Sequence, residues 1–218
     1  MSIKQSELNK KTNEALKKAA KLFLWSFSRG FLFCKKGNLF FYICINPIKN
    51  IKKLNISLYY KWYDFDNVFW DILDLQENKK RPLSFHAAGA WTMPGMIIFK
   101  QNIDDCNWES FDFLAQIFEI VKKTNNISDD IASKIKNIDE NILYVRKLFE
   151  QLTATFPKAT INIDKEELIT KIIKKEYASA KNIIETRLAE NDSGGFISKG
   201  RNFYQMAQEF LAKQEVSQ

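Results

Sequence analysis

Leu8, Ala15, Leu16, Ala19, Ala20, Phe23 and Phe27 recur at three- and four-residue spacing, and Lys10, Lys11, Lys17, Lys18 and Lys21 fill the positions between them. That period predicts an amphipathic helix over residues 6–29, stopped by Gly30. The stretch 22–25 is apolar all round, so the last turn is expected to be covered by the rest of the fold on more than one side. This is the pattern of a docked helix rather than a free membrane anchor.

Beyond Gly30 the period changes to two. Residues 31–35 and 39–45 are aromatic and β-branched, and they flank Lys36-Gly37-Asn38, which predicts a hairpin. Leu54, Ile56, Leu58, Tyr60 and Trp62 then alternate with Asn55, Ser57, Tyr59 and Lys61, a strand with one buried and one polar face. Residues 83–91 and 96–101 surround Thr92-Met93-Pro94-Gly95, whose Pro-Gly pair suits a type II turn, and so predict a second hairpin.

Helical spacing separates and follows these strands. Asp64 or Asp66 is placed to cap a helix carrying Val68, Phe69, Ile72, Leu73 and Leu75, which ends in the polar run 78–82. Asp104 and Asp105 are placed to cap a helix over 108–123, and further helices are expected over 128–135, 139–154, 164–189 and 198–213. Pro157 and Ser193-Gly194-Gly195 punctuate them. The fold class that results is α+β: an N-terminal helix, an antiparallel sheet of four to five strands with helices, then an all-helical C-terminal half. No internal repeat is visible.

Composition adds a possible division. Of 30 aromatic residues, 22 lie in residues 1–120, which suggests an aromatic-rich α+β domain over 1–124 and a helical region over 125–218. The polar connection 122–126 is too short for a flexible linker, so the helical region packs on the first domain or forms a small second one. The longest strongly apolar run, 39–45, is seven residues, whereas a membrane-spanning helix needs about 20. Three cysteines without metal-ligand spacing, and no secretory signal pattern, point to reduced thiols and a cytoplasmic location. Abundant Lys, Asn and Ile fit an A·T-biased, bacterial genome.

Charge is uneven. Residues 1–60 hold 12 basic and 2 acidic side chains, residues 61–130 hold 7 and 12, and residues 131–218 hold 14 and 12. The N-terminal excess provides a positive field for an acidic protein, a nucleic acid or an anionic lipid, or else a solvated helix face.

Chemistry is harder to find. His86 is the only histidine; by alternation it shares a strand face with Ser84 and can meet the polar side of the Asn55, Ser57, Tyr59, Lys61 strand. Cys34 precedes Lys35 and Lys36, a setting that can lower a thiol pKa, while Cys44 sits in an apolar strand and reads as core. The acidic pairs Asp64/Asp66, Asp104/Asp105, Asp129/Asp130 and Asp139/Glu140 all stand where helices are expected to begin, so capping explains them without a metal. The loop 193–201 has glycines, hydroxyls and cations but not the order of a phosphate loop, and Ser198 reads as a helix cap. No catalytic residue, metal ligand or cofactor is assigned.

Gly30-Phe31, then Lys35-Lys36-Gly37-Asn38-Leu39-Phe40-Phe41-Tyr42, then Leu54-Asn55-Ile56-Ser57-Leu58-Tyr59 together resemble bacterial domains of unknown function. In those families a helix leads into a Gly-Phe, a Lys-Gly-Asn turn and a meander of strands, and some look like immunity or accessory proteins. The resemblance covers about 30 residues and implies an α-β-β-β-α start without catalytic residues.

Three functions follow as expectations. The first is a non-enzymatic protein-binding module, immunity-like or regulatory, with Tyr59, Lys61, Ser84, His86, Lys35 and Lys36 as its binding residues and a protein partner. The second is a nucleic-acid binder using the basic N-terminal third, where aromatic and basic residues interleave on strands. The third is an enzyme with a site near His86, using Ser84, Tyr59 or a carboxylate.

Overall fold

The computed structural model describes residues 3–155 and 163–216. In chain order the elements are α1 (Gln5–Phe23), β1 (Ser26–Ser28), β2 (Phe31–Lys36), β3 (Leu39–Ile48), β4 (Lys53–Trp62), α2 (Asp64–Ile72), a 3₁₀ turn (Gln76–Lys80), α3 (Phe85–Ala88) and β5 (Met96–Ile103). There follow α4 (Phe113–Lys134), α5 (Ile138–Thr155), α6 (Asp164–Ile173), α7 (Tyr177–Ala189), β6 (Ile197–Ser198), β7 (Arg201–Asn202) and α8 (Phe203–Val216). The fold class is α+β, as the periodicities predict. No helix among the described residues is long and apolar enough to cross a membrane.

The described residues form two compact units. The first comprises residues 3–63, 86–89 and 94–136, and the second comprises 64–85, 90–93, 137–155 and 163–216.

The first unit is built on an antiparallel meander in the order β1-β2-β3-β4-β5. Gly37 takes φ +60° in the two-residue turn between β2 and β3, and the resulting register pairs Lys36 with Leu39 and Lys35 with Phe40. One sheet face carries Leu32, Phe41, Ile43, Leu54, Ile56, Leu58 and Tyr60, all fully buried. Each such aliphatic side chain removed from water contributes about 1.5–3 kcal/mol. This face lies against α1 and α4: Leu8, Leu16 and Ala19 are the buried stripe of α1, and Lys36 and Phe99 meet α4 side chains.

The second unit is helical. Helix α6 packs on α2, α5 and α7, and α8 packs on α2 and α7. Phe65, Trp70, Leu168, Ile184, Tyr204 and Leu211 are its buried centre, and the Phe69 and Phe203 rings meet at 5.4 Å. Asp66, an acidic residue that is fully buried, accepts the Met93 N–H at 2.7 Å. A short β6–β7 hairpin precedes α8.

Several boundaries differ from the sequence reading, each for a local reason. Helix α1 ends at Phe23, not at 29, because Leu24 turns left-handed and the Trp25 N–H closes on the Ala20 carbonyl. Residues 26–28 thereby become a fifth strand, and Gly30 serves the β1–β2 turn at φ +85°. The tip of α1 is not covered on all sides, since Leu22 is 61% and Leu24 is 90% exposed.

The second hairpin does not form as predicted. Residues 83–91 contain no strand; His86-Ala87-Ala88 form part of α3, in line with the helix preference of alanine and the absence of β-branched residues. Strand β5 pairs instead with β4, through a bulge between Leu58 and Tyr59.

Asp104 and Asp105 do not cap α4. Its cap is Asp112, which accepts the Ala115 N–H at 3.0 Å, while packing among the Trp108, Phe111 and Phe113 rings holds the preceding residues outside the helix. Helix α4 also runs unbroken through 122–126 and 128–134. The Thr124 and Ser128 hydroxyls donate to carbonyls three or four residues back, which satisfies them within the helix. The predicted helix over 164–189 is divided at Lys175, which has φ +58°. Finally, Ser198 lies in the hairpin, and α8 is capped reciprocally: Asn202 Oδ1 accepts the Gln205 N–H and Gln205 Oε1 accepts the Asn202 N–H. Pro157 lies outside the described residues.

Candidate functional site

Strand pleating sends successive side chains to opposite faces, so the register fixes what the second face of the sheet displays. Lys35, Phe40 and Lys61 form one row across β2, β3 and β4, and Phe33, Tyr42, Tyr59 and Ile97 form the next. Ser57 with Lys100 and then Asn46, Asn55 and Asn102 continue the face. Strands β1–β5 together carry Lys35, Lys36, Lys53, Lys61 and Lys100 and not one Asp or Glu.

The first row is enclosed by aromatic groups. The His86 ring sits 4.4 Å from Tyr63 and 5.6 Å from Phe40, centre to centre, and only 4% of the residue is exposed. Lys35 is exposed and holds its ammonium 3.9 Å above the Tyr63 ring. Lys61 is buried, with Nζ 5.9 Å from the Phe40 ring centre. The alternation expected Lys61 on a solvated face; its butyl stem instead belongs to the aromatic cluster.

The second row is the flattest. Tyr42 and Tyr59 stack at 4.6 Å with 4° between their planes, and the Gly95 N–H donates to the Tyr42 hydroxyl at 3.3 Å. A Cβ at Gly95 would fall 2.8 Å from a Tyr42 ring carbon and 3.1 Å from Tyr59 Cβ, so only glycine lets the backbone approach. Tyr42, Ser57 and Tyr59 are half-buried, and Asn46, Lys100 and Asn102 are exposed.

Of the six residues assigned from sequence, the structure brings together Lys35, Tyr59, Lys61 and His86 on one face. Lys36 is on the opposite face, where it donates to Ser128 Oγ at 2.7 Å and pairs with Asp129 at 2.6 Å. Ser84 does not share a strand face with His86, because no strand forms there; it lies in a turn of the second unit. The sequence reading missed Tyr42, Tyr63, Gly95 and Lys100. A two-residue Gly-Asn turn already implies the Lys35–Phe40 pair, but Tyr42–Tyr59 needed the β3–β4 register.

Burial works against thiolate formation at all three cysteines. Burial pushes Cys34 up to about 12, outweighing the opposing effect of Lys36, and burial also raises Cys44 and Cys106. Among the described residues no group of three or more His, Cys, Asp or Glu side chains is placed to hold a metal ion. A cavity of about 380 Å³ at the β3–β4 turn is lined by both signs of charge, including Lys49, Lys52, Asp105 and Glu109, and favours no one ligand class.

No family model matches this chain, no curated protein matches it significantly in sequence, and no solved structure matches it significantly.

Proposed function

We propose that this protein is a binding module that recognises an acidic protein partner through the sheet face on which Lys35, Lys100 and Asn102 are exposed beside half-buried Ser57 and Tyr59. The observation behind this is the charge of that face: it exposes Lys35 and Lys100, and strands β1–β5 supply no carboxylate to offset them. The first unit as a whole holds 18 Lys and Arg against nine Asp and Glu, whereas the remaining chain holds 15 against 17. Such a field favours encounter with a negative partner and penalises a positive one. Amide and hydroxyl groups beside tyrosines give that field hydrogen-bonding specificity. The resemblance over Gly30–Tyr59 makes a regulatory or immunity-like role the natural setting for such a module.

A nucleic acid would answer the same field, but the tyrosines of this face already spend ring surface on contacts within the protein. Tyr42 lies on Tyr59, and Tyr63 is taken by Lys35 and His86. This occupancy favours the protein reading. It is tested by affinity capture from the native host after nuclease treatment, using the wild type and Lys35→Glu/Lys100→Glu. Recovery of one acidic protein by the wild type, lost in the variant, is expected. Recovery of nothing at low salt, or tight binding of a single-stranded oligonucleotide that the variant loses, would refute it.

A further inference from the structure

The C-terminal tip of α1 presents a different surface. Leu22 and Leu24 are the exposed aliphatic side chains there, at 61% and 90% exposure, and Lys17, Lys18 and Lys21 on the same two turns are exposed as well. Lys17 lies over the Phe27 ring, 5.5 Å from its centre, which adds a half-buried aromatic ring beside the cations. Residues 15–63 contain no Asp or Glu, so nothing in the local sequence neutralises this group.

Leu24 is also an unfavourable choice for its own position. Its backbone is left-handed, at φ 58° and ψ 32°, where helix ends ordinarily use glycine. The other non-glycine residues described with positive φ are polar or charged, except Trp91, whose ring packs edge-on against Phe196 at 4.5 Å. Leu24 alone combines the strained backbone with an aliphatic side chain held in water. With its side chain 90% exposed, Leu24 gains little from packing among the described residues, so a role for that side chain is sought outside the chain.

We propose that this tip docks peripherally on an anionic lipid bilayer, with Leu22 and Leu24 entering the headgroup layer and Lys17, Lys18 and Lys21 meeting acidic headgroups. Apolar residues ringed by lysines match the two terms that drive interfacial binding, apolar burial and attraction to negative lipid. A second copy of this chain would bring like charges together, and a nucleic acid offers the leucines no apolar environment. The apolar stripe of α1 is already buried in its own unit, so the tip and not the helix as a whole would meet the lipid.

The test is co-sedimentation of the full chain with vesicles of phosphatidylcholine alone and of phosphatidylcholine mixed with phosphatidylglycerol. The expected result is binding to the mixed vesicles only, weakening as salt is raised. Leu24→Gly is the informative variant, because glycine suits the left-handed backbone. It should melt at or above the wild-type temperature and yet bind mixed vesicles about tenfold more weakly. Lys17→Gln/Lys18→Gln/Lys21→Gln should remove the salt dependence. Failure of the wild type to sediment with mixed vesicles at low salt would overturn the proposal. So would unchanged binding by Leu24→Gly, or capture of an acidic protein through this tip without any vesicle binding.

Discussion

Lys36 of β2 and Asp129 of α4 pair at 2.6 Å, and the same ammonium also donates to Ser128 Oγ and to Asn125 Oδ1. Trp25 Nε1 donates to the same Asn125 oxygen at 2.9 Å, so one cluster ties the end of α1, the edge of the sheet and the middle of α4 together. The Lys36 side chain is 20% exposed, which limits solvent screening of these charge-assisted bonds. Lys36→Met is expected to lower stability by about 1–3 kcal/mol, read as a lower urea midpoint with unchanged slope. Partner binding should persist in conditions where the variant is folded, since Lys36 faces away from the proposed surface.

Gly95 makes the opposite kind of contact, one defined by absent atoms. Gly95→Ala should cost about 1–3 kcal/mol because the added methyl overlaps Tyr42 and Tyr59. Combining it with Tyr42→Ala should recover part of that loss, and a double-mutant cycle of thermal or urea unfolding would show the coupling. Strict additivity would mean that the tyrosine pair is not what Gly95 accommodates.

Glu166 makes the stability of the second unit depend on pH near neutrality. It is 5% exposed, one of its oxygens is buried without a hydrogen-bond partner among the described residues, and burial pushes its pKa up to about 7 from 4.5. A carboxyl that is harder to ionise in the folded than in the unfolded state binds more protons when folded. Stability should therefore fall as pH rises from about 4.5 through about 7, by about 3 kcal/mol in all. Lys171 and Lys174 hold Glu176 down to about 2, so its contribution changes only below 4.5 and has the other sign. Urea titrations across this range should show the decline in the wild type and a flatter profile in Glu166→Gln.

His86 is predicted to act by packing. His86→Ala should destabilise by about 2–4 kcal/mol through loss of the contacts with Tyr63 and Phe40, and His86→Phe should cost less. Thermal melting checks the order. A folded His86→Phe protein that loses its partner completely would assign the imidazole a direct recognition role.

These particulars show what a one-dimensional pattern carries and where it stops. The strand Lys53–Trp62 was legible because apolar and polar residues alternate along it and burial follows them as far as Tyr60, and the hairpin around Gly37 because its turn is two residues long. Lys35 and Lys36 look alike in sequence; only the pleat separates a surface lysine from one that anchors α4. The failure at 83–91 has a different origin. A short Ala-containing stretch beside Pro82 has no period long enough to distinguish one turn of helix from a strand, and the true partner of β5 lay on β4. The continuous helix Phe113–Lys134 was hidden by Thr124, Asn125, Asn126 and Ser128, a polar run that looks like a connection until the Thr124 and Ser128 hydroxyls are seen to bond to the preceding turn.

The most direct measurement of the central claim is photo-crosslinking from the sheet face in the native host. Benzoylphenylalanine at Asn102, an exposed position on the lysine-bearing face, should form a covalent adduct with one acidic protein. The same probe at Glu14, an exposed position on α1, should not. Equal adducts from both positions, or none from Asn102 while the protein is folded, would contradict recognition through this face.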